Sequence, residues 1–274
     1  RDRPWRRALS GSGLLGCVLL VAALPGGSLL GTAVLPSDLT VSNFTFMPLW
    51  GNTLSGLTNL TIASGGRASH VKNNDDTAAY KLKIDIPGNL TIELGAAIDV
   101  TADGYARTKG PGAPTDGYYG GSHGGVGGDL GGSGGYGDTY GSVLAPTNAG
   151  SGSGGNGHLD TAGGGVVRLI IAGTTTVDGE IISDGGSAPS GGFNGGAGGS
   201  VYLTTANLSG SGTIRAAGGE SATGSHTGSG GGGRVAVVLT SGTTFGSVDI
   251  SARGGLLSGG GESLTFDVCV MFYL

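Results

Sequence analysis

The residues of this chain best suited to chemistry are four carboxylates beside short strand-like segments. Asp99 and Asp103 flank one segment, and Glu180 and Asp184 flank another of the same pattern. If the segments stack as neighbouring strands, about 4.8 Å apart, Asp99 lies beside Glu180 and Asp103 beside Asp184. Four such carboxylates repel one another, and a Ca²⁺ ion with about six to eight oxygen ligands relieves the repulsion. The spacing predicts a calcium patch, with ordinary solvated side chains as the alternative.

The same columns suggest a second chemistry. A carboxylate and a cation on a parallel sheet can activate a sugar acid for cleavage, which is the chemistry of a polysaccharide lyase. Arg215 and Arg253 are the only basic residues near the acidic columns, which gives catalysis little support. No catalytic residue is therefore assigned, and a carbohydrate-active protein, either a lyase or a glycan-binding protein, remains the alternative function.

Other chemical motifs carry no weight in this sequence. Gly150-x-Gly152-x-x-Gly155 is expected by chance at this glycine content and lacks the strand-to-helix context of a nucleotide site. Ser122 and Ser133 stand in G-x-S-x-G pentapeptides, but no helix is expected after them as a nucleophile elbow requires. The histidines lack metal-ligand spacing and are expected to be solvated loop residues. They are His70, His123, His158 and His226.

A long glycine-rich insertion between Gly104 and Gly165 is the candidate binding loop, because long loops on one side of a repeat fold often form its binding face. Five of the eight tyrosines lie there: Tyr105, Tyr118, Tyr119, Tyr136 and Tyr140. A mobile, solvated linker explains the composition equally well. A third hypothesis is that glycine runs pack together as extended, polyproline-II-like segments.

The glycine content limits the elements that can position these residues. Glycine accounts for 63 of 274 residues, and only 12% of the chain is charged. Glycine costs a helix about 1 kcal/mol per position relative to alanine, so a helix-rich α/β enzyme is excluded. Collagen is excluded too, because glycine does not occupy every third position. Full disorder is disfavoured because 37% of the residues are hydrophobic and the mean hydropathy is +0.13.

Two markers repeat along the chain at nearly the same step. Second strands begin near Val167, Val201 and Val235, each 34 positions after the last, and a fourth is expected near Leu264. The first strands are expected to align an apolar column and, two positions on, a small-residue column: Val100, Ile181, Ile214 and Ile250, then Ala102, Ser183, Ala216 and Ala252. The double glycines between them are expected at corners with positive φ. Stacked units of this kind predict a right-handed parallel β-helix, or β-solenoid.

Two glycine-rich blocks carry a family resemblance. The blocks 195–203 (GGAGGSVYL) and 210–219 (GSGTIRAAGG) resemble recurring segments of large glycine-rich secreted bacterial repeat proteins. The resemblance covers about residues 88–261. It implies a parallel β-helix of the adhesin or autotransporter-passenger type at the cell surface, and hence a non-enzymatic structural or adhesive function with surface glycans or proteins as partners. The apolar end, 268–274, lacks the polar cap of a solenoid, so the natural chain is expected to continue.

Residues 1–33 have the pattern of a signal peptide, with a basic start and a short apolar run. Removing them leaves 10 basic and 18 acidic residues and a single cysteine, Cys269. An acidic chain of this kind argues against nucleic-acid binding. The domains expected are therefore this signal peptide, an N-terminal β-rich cap over 34–87 and glycine-rich repeats over 88–274. The protein is predicted to be secreted or surface-exposed, with no membrane span in the mature chain.

Overall fold

The computed structural model describes residues 35–42, 45–46, 56–73, 76–128, 134–155, 161–188, 194–222, 227–256 and 269–273. The predicted signal peptide, His158, His226 and Leu264 therefore lie outside the described residues. The strands in chain order are β1 (Asp38–Val41), β2 (Thr45–Phe46), β3 (Asn59–Ile62), β4 (Arg67–Ala68), β5 (Leu82–Ile86), β6 (Leu90–Ile92), β7 (Ala97–Asp99), β8 (Val166–Val177), β9 (Glu180–Ile182), β10 (Ser200–Ser209), β11 (Thr213–Arg215), β12 (Arg234–Leu239), β13 (Asp249–Ser251) and β14 (Cys269–Tyr273).

The strands form two parallel sheets, and the chain alternates between them. Sheet A has the order β1-β3-β6-β8-β10-β12-β14, with β5 paired to the first half of β8. Sheet B has the order β13-β11-β9-β7-β4-β2. Because β3 pairs with β6, one sheet runs through both the predicted cap and the predicted repeats.

The hydrophobic core lies between the two sheets and follows the predicted 34-residue step. In sheet A, Val167 pairs with Val201 and Val201 with Val235. In sheet B, Ile181 pairs with Ile214, and both are fully buried. Each strand covers part of the apolar surface of the next strand in its sheet. No single repeat therefore has to bury its apolar surface alone.

The expected alignment is wrong at its two ends. Ile98, not Val100, pairs with Ile181, so the first rung is displaced by two residues. The long insertion before β8 separates β7 from β9 by far more than 34 residues. The repeat interval therefore does not fix the register between these two strands. At the far end Val235 pairs with Cys269 rather than with Leu264, which continues the step of 34.

A ladder of polar side chains follows the outer face of sheet A. Asn89 accepts a hydrogen bond from the Thr174 backbone through Oδ1, at 2.8 Å, and donates its own N–H to Asn59 Oδ1 at 2.8 Å. Asn59 Nδ2 in turn donates to Asp38 Oδ1. The hydroxyl residues two positions on are also in register: Thr40, Thr61, Thr91, Thr176 and Ser209. The N-x-T triplets at Asn59 and Asn89 are thus part of the strand-to-strand hydrogen bonding.

The glycine-rich segments pack backbone against backbone and define a second region, the glycine bundle. It comprises the described parts of 104–165 with 183–188, 194–199, 216–222 and 228–233. A Cβ on Gly163 would collide with the Gly150 carbonyl, and one on Gly230 with the Gly196 carbonyl. Neither glycine has a positive φ. The prediction of corner glycines with positive φ is therefore wrong for these two, which are required because the neighbouring backbone leaves no room for a side chain.

Seen along the chain segments, the hydrogen bonds of the bundle extend in two directions, whereas those of a sheet extend in one. A strand in a sheet has at most two hydrogen-bonded neighbours, whereas the segment 194–199 exchanges backbone hydrogen bonds with six others. Those neighbours are the segments around Gly121, Ser151, Gly164, Gly186, Gly219 and Gly231. The return path from sheet B to sheet A therefore runs through this bundle and not through a further parallel sheet. The prediction of a right-handed parallel β-helix is wrong: the described strands form two parallel sheets without a closed solenoid.

Asn194 ties three segments of the bundle together. Its Nδ2 donates to the carbonyls of Gly117 (2.6 Å) and Gly154 (3.2 Å), and its Oδ1 accepts the Gly228 N–H at 2.7 Å. The residue is 2% exposed. Since a buried polar group is tolerated only when it is hydrogen-bonded, Asn194 is matched to this position. The solvated-linker hypothesis is thus wrong for the parts of the glycine-rich insertion around Gly117 and Gly154, which are held inside the bundle.

Candidate functional site

The candidate site is a polar groove on the outer face of sheet B, at the border with the glycine bundle. Its volume is about 330 Å³, which is at the lower end of the range for small-ligand pockets. Ala217 forms its floor, and the side chains around it are longer: Thr101, Asp184, Ser187, Arg215, Glu220, Arg253 and Leu256. We call these residues the sheet B groove.

The groove exists because of one small residue in a column of long ones. The backbone N–H of Gly185 donates to the Ala217 carbonyl, and that of Gly218 to the Arg253 carbonyl. Asp184, Ala217 and Arg253 therefore occupy equivalent places on successive rungs, as predicted for this column. The alanine leaves a gap about one rung wide between an acidic and a basic side chain.

Asp184 and Arg215 form a fixed pair at one side of the groove. Asp184 Oδ2 accepts from Arg215 Nε at 2.7 Å, and Oδ1 accepts the Ala217 N–H at 2.7 Å. Burial raises the pKa of the Asp184 carboxyl, and the Ala217 N–H and the guanidinium act against that rise. This carboxylate is occupied by structural partners, while the two Nη groups of Arg215 remain available to donate.

Glu220 and Arg253 supply the uncommitted charges of the groove. Both side chains are exposed, and no ion pair or hydrogen bond joins either charged group to another described residue. The Ser187 hydroxyl oxygen accepts the Glu220 N–H at 3.0 Å, so its proton remains free to donate. The groove thus presents a donor cation, an acceptor anion and a hydroxyl around one depression.

The predicted four-carboxylate patch is not assembled as expected. Glu180 pairs with Ala97, and Asp99 pairs with Ile182, so the predicted neighbours Asp99 and Glu180 are two residues out of register. Arg67 forms an ion pair with Asp99. Two of the carboxylates are therefore neutralised by arginines, since Asp184 pairs with Arg215. Among the described residues, no group of three or more His, Cys, Asp or Glu side chains is arranged to hold a metal ion.

Asp103 lies apart from the groove, beside the chain turn that precedes the glycine bundle. Its Oδ2 accepts a hydrogen bond from Ser69 Oγ at 3.2 Å. Burial raises the pKa of the Asp103 carboxyl to about 6, against the Ser69 hydrogen bond and the charge of Lys72. The nearby Asp99 charge raises it further. Asp103 therefore titrates closer to neutrality than an ordinary aspartate.

The tyrosines of the candidate binding loop divide into structural and exposed side chains. Tyr119 is fully buried, and its hydroxyl accepts the Gly134 N–H at 2.6 Å. Tyr140 donates to the Ala149 carbonyl at 2.5 Å, and burial raises the pKa of its phenol. Tyr105 packs against a small apolar cluster. Only Tyr118 and Tyr136 are largely exposed, at 44% and 53%, so the five do not form one aromatic surface.

Two histidines expected in solvent are buried. His70 donates through Nδ1 to the Val71 carbonyl and accepts the Val166 N–H at Nε2. His123 donates through Nδ1 to the Gly198 carbonyl at 2.8 Å, and its Nε2 has no hydrogen-bond partner among the described residues. Burial lowers the pKa of both imidazoles to about 4. The solvated-loop prediction is wrong for these two histidines, since each forms a hydrogen bond with a segment distant in the sequence, at Val166 and at Gly198.

Sequence reasoning assigned no role to Glu220 or Ser187 and weighed Arg253 only as weak support for catalysis. The signal was available, because Asp184, Ala217 and Arg253 were aligned in one predicted column with a small residue between two charges.

Within the described residues, no helix is long and apolar enough to cross a membrane. Comparison of the chain with protein-family models, curated proteins and solved structures gives no match, so its function has to be argued from this geometry.

Proposed function

We propose that this chain is a non-enzymatic structural and adhesive module, exported and displayed at the cell surface or released from it. The observation that carries the proposal is the glycine bundle. Its hydrogen bonds connect the return segments of successive rungs in two dimensions. A backbone fixed on all sides loses little further freedom when a surface group engages a partner, and such preorganisation favours binding.

The two sheets support the same role. Parallel strands in register present outward side chains at a regular spacing of about 4.8 Å, and sheet B uses them to form the groove. Functional groups on a rigid scaffold are positioned more accurately than those on a mobile loop. The signal-peptide pattern of residues 1–33 supports export.

A catalytic role has less support. The two carboxylates with nearby guanidiniums, Asp99 and Asp184, are committed to ion pairs with Arg67 and Arg215. A general base needs a free carboxylate within reach of its proton. Glu220 is the one carboxylate of the groove that forms no ion pair with another described residue, and a single carboxylate can serve recognition as well as chemistry.

The test is localisation and attachment in the organism that produces the protein. An antibody raised against the purified chain should label intact cells or the medium, and deletion of the gene should reduce attachment to surfaces while growth is unchanged. Labelling only after cell lysis would overturn the proposal. Release of unsaturated sugars from a polysaccharide by the purified chain would also overturn it and favour the lyase alternative.

A further inference from the structure

We propose that the sheet B groove binds a neutral saccharide, with Arg253 and Glu220 as its polar anchors. This inference names a ligand class for the adhesive role proposed above and rests on it. Three properties of the groove favour this ligand: its shape, the state of each charged group and the balance of charge.

The shape suits a short stretch of a larger molecule. The cavity of about 330 Å³ is small for a whole oligosaccharide and is open to solvent on the outer face of sheet B. Leu256, 62% exposed at the rim, offers an apolar surface for the C–H face of a sugar ring. A terminal or internal sugar unit can therefore enter while the rest of the chain stays outside.

The charged groups favour a polyol over an ion. Arg215 is neutralised by Asp184, and the groove charges without an ion pair to another described residue are Arg253 and Glu220, of opposite sign. A guanidinium donates hydrogen bonds in a planar fork, and a carboxylate only accepts them. Neighbouring hydroxyls of a sugar can accept from Arg253 and donate to Glu220, so both charges gain partners without a net charge on the ligand.

A charged ligand matches this balance less well. An anionic sugar would satisfy Arg253 but face Glu220 and the overall charge of −5. A cationic ligand would satisfy Glu220 but face Arg253. Like charges brought close together are unfavourable, so each kind of charged ligand suits the groove less well than a neutral one.

The experiment titrates the purified full chain with cellobiose, maltose and N,N′-diacetylchitobiose as neutral probes, and with digalacturonate as the acidic probe. Binding is followed by calorimetry and by NMR of the chain. At least one neutral disaccharide is expected to bind saturably, and more tightly than digalacturonate. Tighter binding of digalacturonate, or no saturable binding of the neutral probes, would overturn the inference.

Two variants locate the binding. Arg253→Ala removes the free guanidinium, and Ala217→Leu fills the groove floor, and each is expected to weaken binding by at least about tenfold, or about 1.4 kcal/mol. The control Thr213→Leu introduces the same side chain on β11, four positions before Ala217 and outside the groove lining, and should change affinity less than about twofold. Folding is checked for each variant from its melting temperature. Equal affinity of both variants and the parent would place the ligand elsewhere and overturn the inference.

The outcomes separate this inference from the proposed function. Surface labelling and loss of attachment without saccharide binding would leave the adhesive role standing and remove the groove from it. Saccharide binding by a chain found only inside cells would support the groove as a saccharide site and overturn the adhesive role.

Discussion

The two halves of this molecule are held together by opposite uses of side-chain volume. Between the sheets, Ile98, Leu169 and Ile181 are fully buried and fill the space between strands, so stability depends on the methyl groups present. In the glycine bundle, Gly163 and Gly230 allow backbones to touch, so stability depends on the methyl groups absent. Alanine should therefore be a damaging substitution in both regions, through loss of volume in one and gain of volume in the other.

The largest effect is expected in the sheet core. Leu169→Ala removes methyl groups at a fully buried position of β8 and should lower the free energy of unfolding by about 3–4 kcal/mol, the sum of lost burial and a cavity. Chemical denaturation measures the loss. The exposed Leu94 (79%) is the control, where Leu94→Ala should cost under about 0.5 kcal/mol. A similar loss at both positions would show that β8 does not form this core.

The bundle is tested by adding one methyl group. Gly230→Ala should destabilise the chain by about 2–3 kcal/mol, because its Cβ meets the Gly196 carbonyl and overpacking displaces backbone. Gly134 provides the control, since a Cβ there meets no atom of a described residue within 4 Å although φ is +101°. Gly134→Ala should cost only the left-handed backbone, about 1–2 kcal/mol. A smaller loss at Gly230 than at Gly134 would mean that conformation, not close contact, selects these glycines.

Removing a polar tie should weaken the bundle without adding volume. Asn194→Ala leaves the buried Gly228 N–H and Gly117 carbonyl without their partner, at an expected cost of about 2 kcal/mol. Hydrogen exchange at Gly228 should quicken more than exchange in β8. Uniform quickening across both regions would show that the bundle and the sheets unfold as one unit.

Acid should act on the bundle through His123. Its folded pKa of about 4 lies below the ordinary value near 6.5, so the unfolded chain takes up the proton first. Stability from this group is present above about pH 6.5 and falls on acidification, by about 1 kcal/mol between pH 7 and 5.5. His123→Phe should flatten that fall in unfolding measurements across this range. An unchanged slope would mean that the imidazole is not held neutral in the fold.

Asp103 should act with the opposite sign over the same range, at the edge of the bundle. Its folded pKa of about 6 is raised by burial above the ordinary value, so ionisation disfavours the folded state at neutral pH. Asp103→Asn should therefore raise the melting temperature at pH 7 by a small amount and have less effect at pH 4.5. A melting temperature lowered at pH 7 would show that the charge is stabilised in place.

Much of the sheet region was predictable from local pattern. An alternation of apolar and charged residues predicts a strand over 79–86: Tyr80, Leu82, Ile84 and Ile86 against Lys81, Lys83 and Asp85. The strand β5 covers only Leu82–Ile86, and its apolar side chains are buried. The 34-residue step predicts the pairing of β10 with β8 and with β12 because an unbroken interval preserves register. Where a long insertion intervenes, as before β8, the interval no longer carries register, and the expected pairing of Asp99 with Glu180 is two residues out.

The candidate site was predictable only in part. The column of Asp184, Ala217 and Arg253 follows from the repeat, and it gives the groove its floor and its free guanidinium, but not Glu220. The ion pairs that commit Asp99 and Asp184 do not follow from it, because they depend on side chains that reach across to another rung. The calcium hypothesis assumed carboxylates without such partners.

Composition by itself determined that this chain is built of strands and glycine rather than helices, since a helix cannot tolerate glycine at such density. The repeat by itself determined that successive strands pair in parallel at a fixed step. Only the tertiary structure decided what the glycines do. Close approach of one backbone to another depends on which distant segments meet, and six of them meet around 194–199. No local pattern encodes that number of neighbours, so the same glycine runs fit a solvated linker, a corner or a packed bundle until the chain is folded.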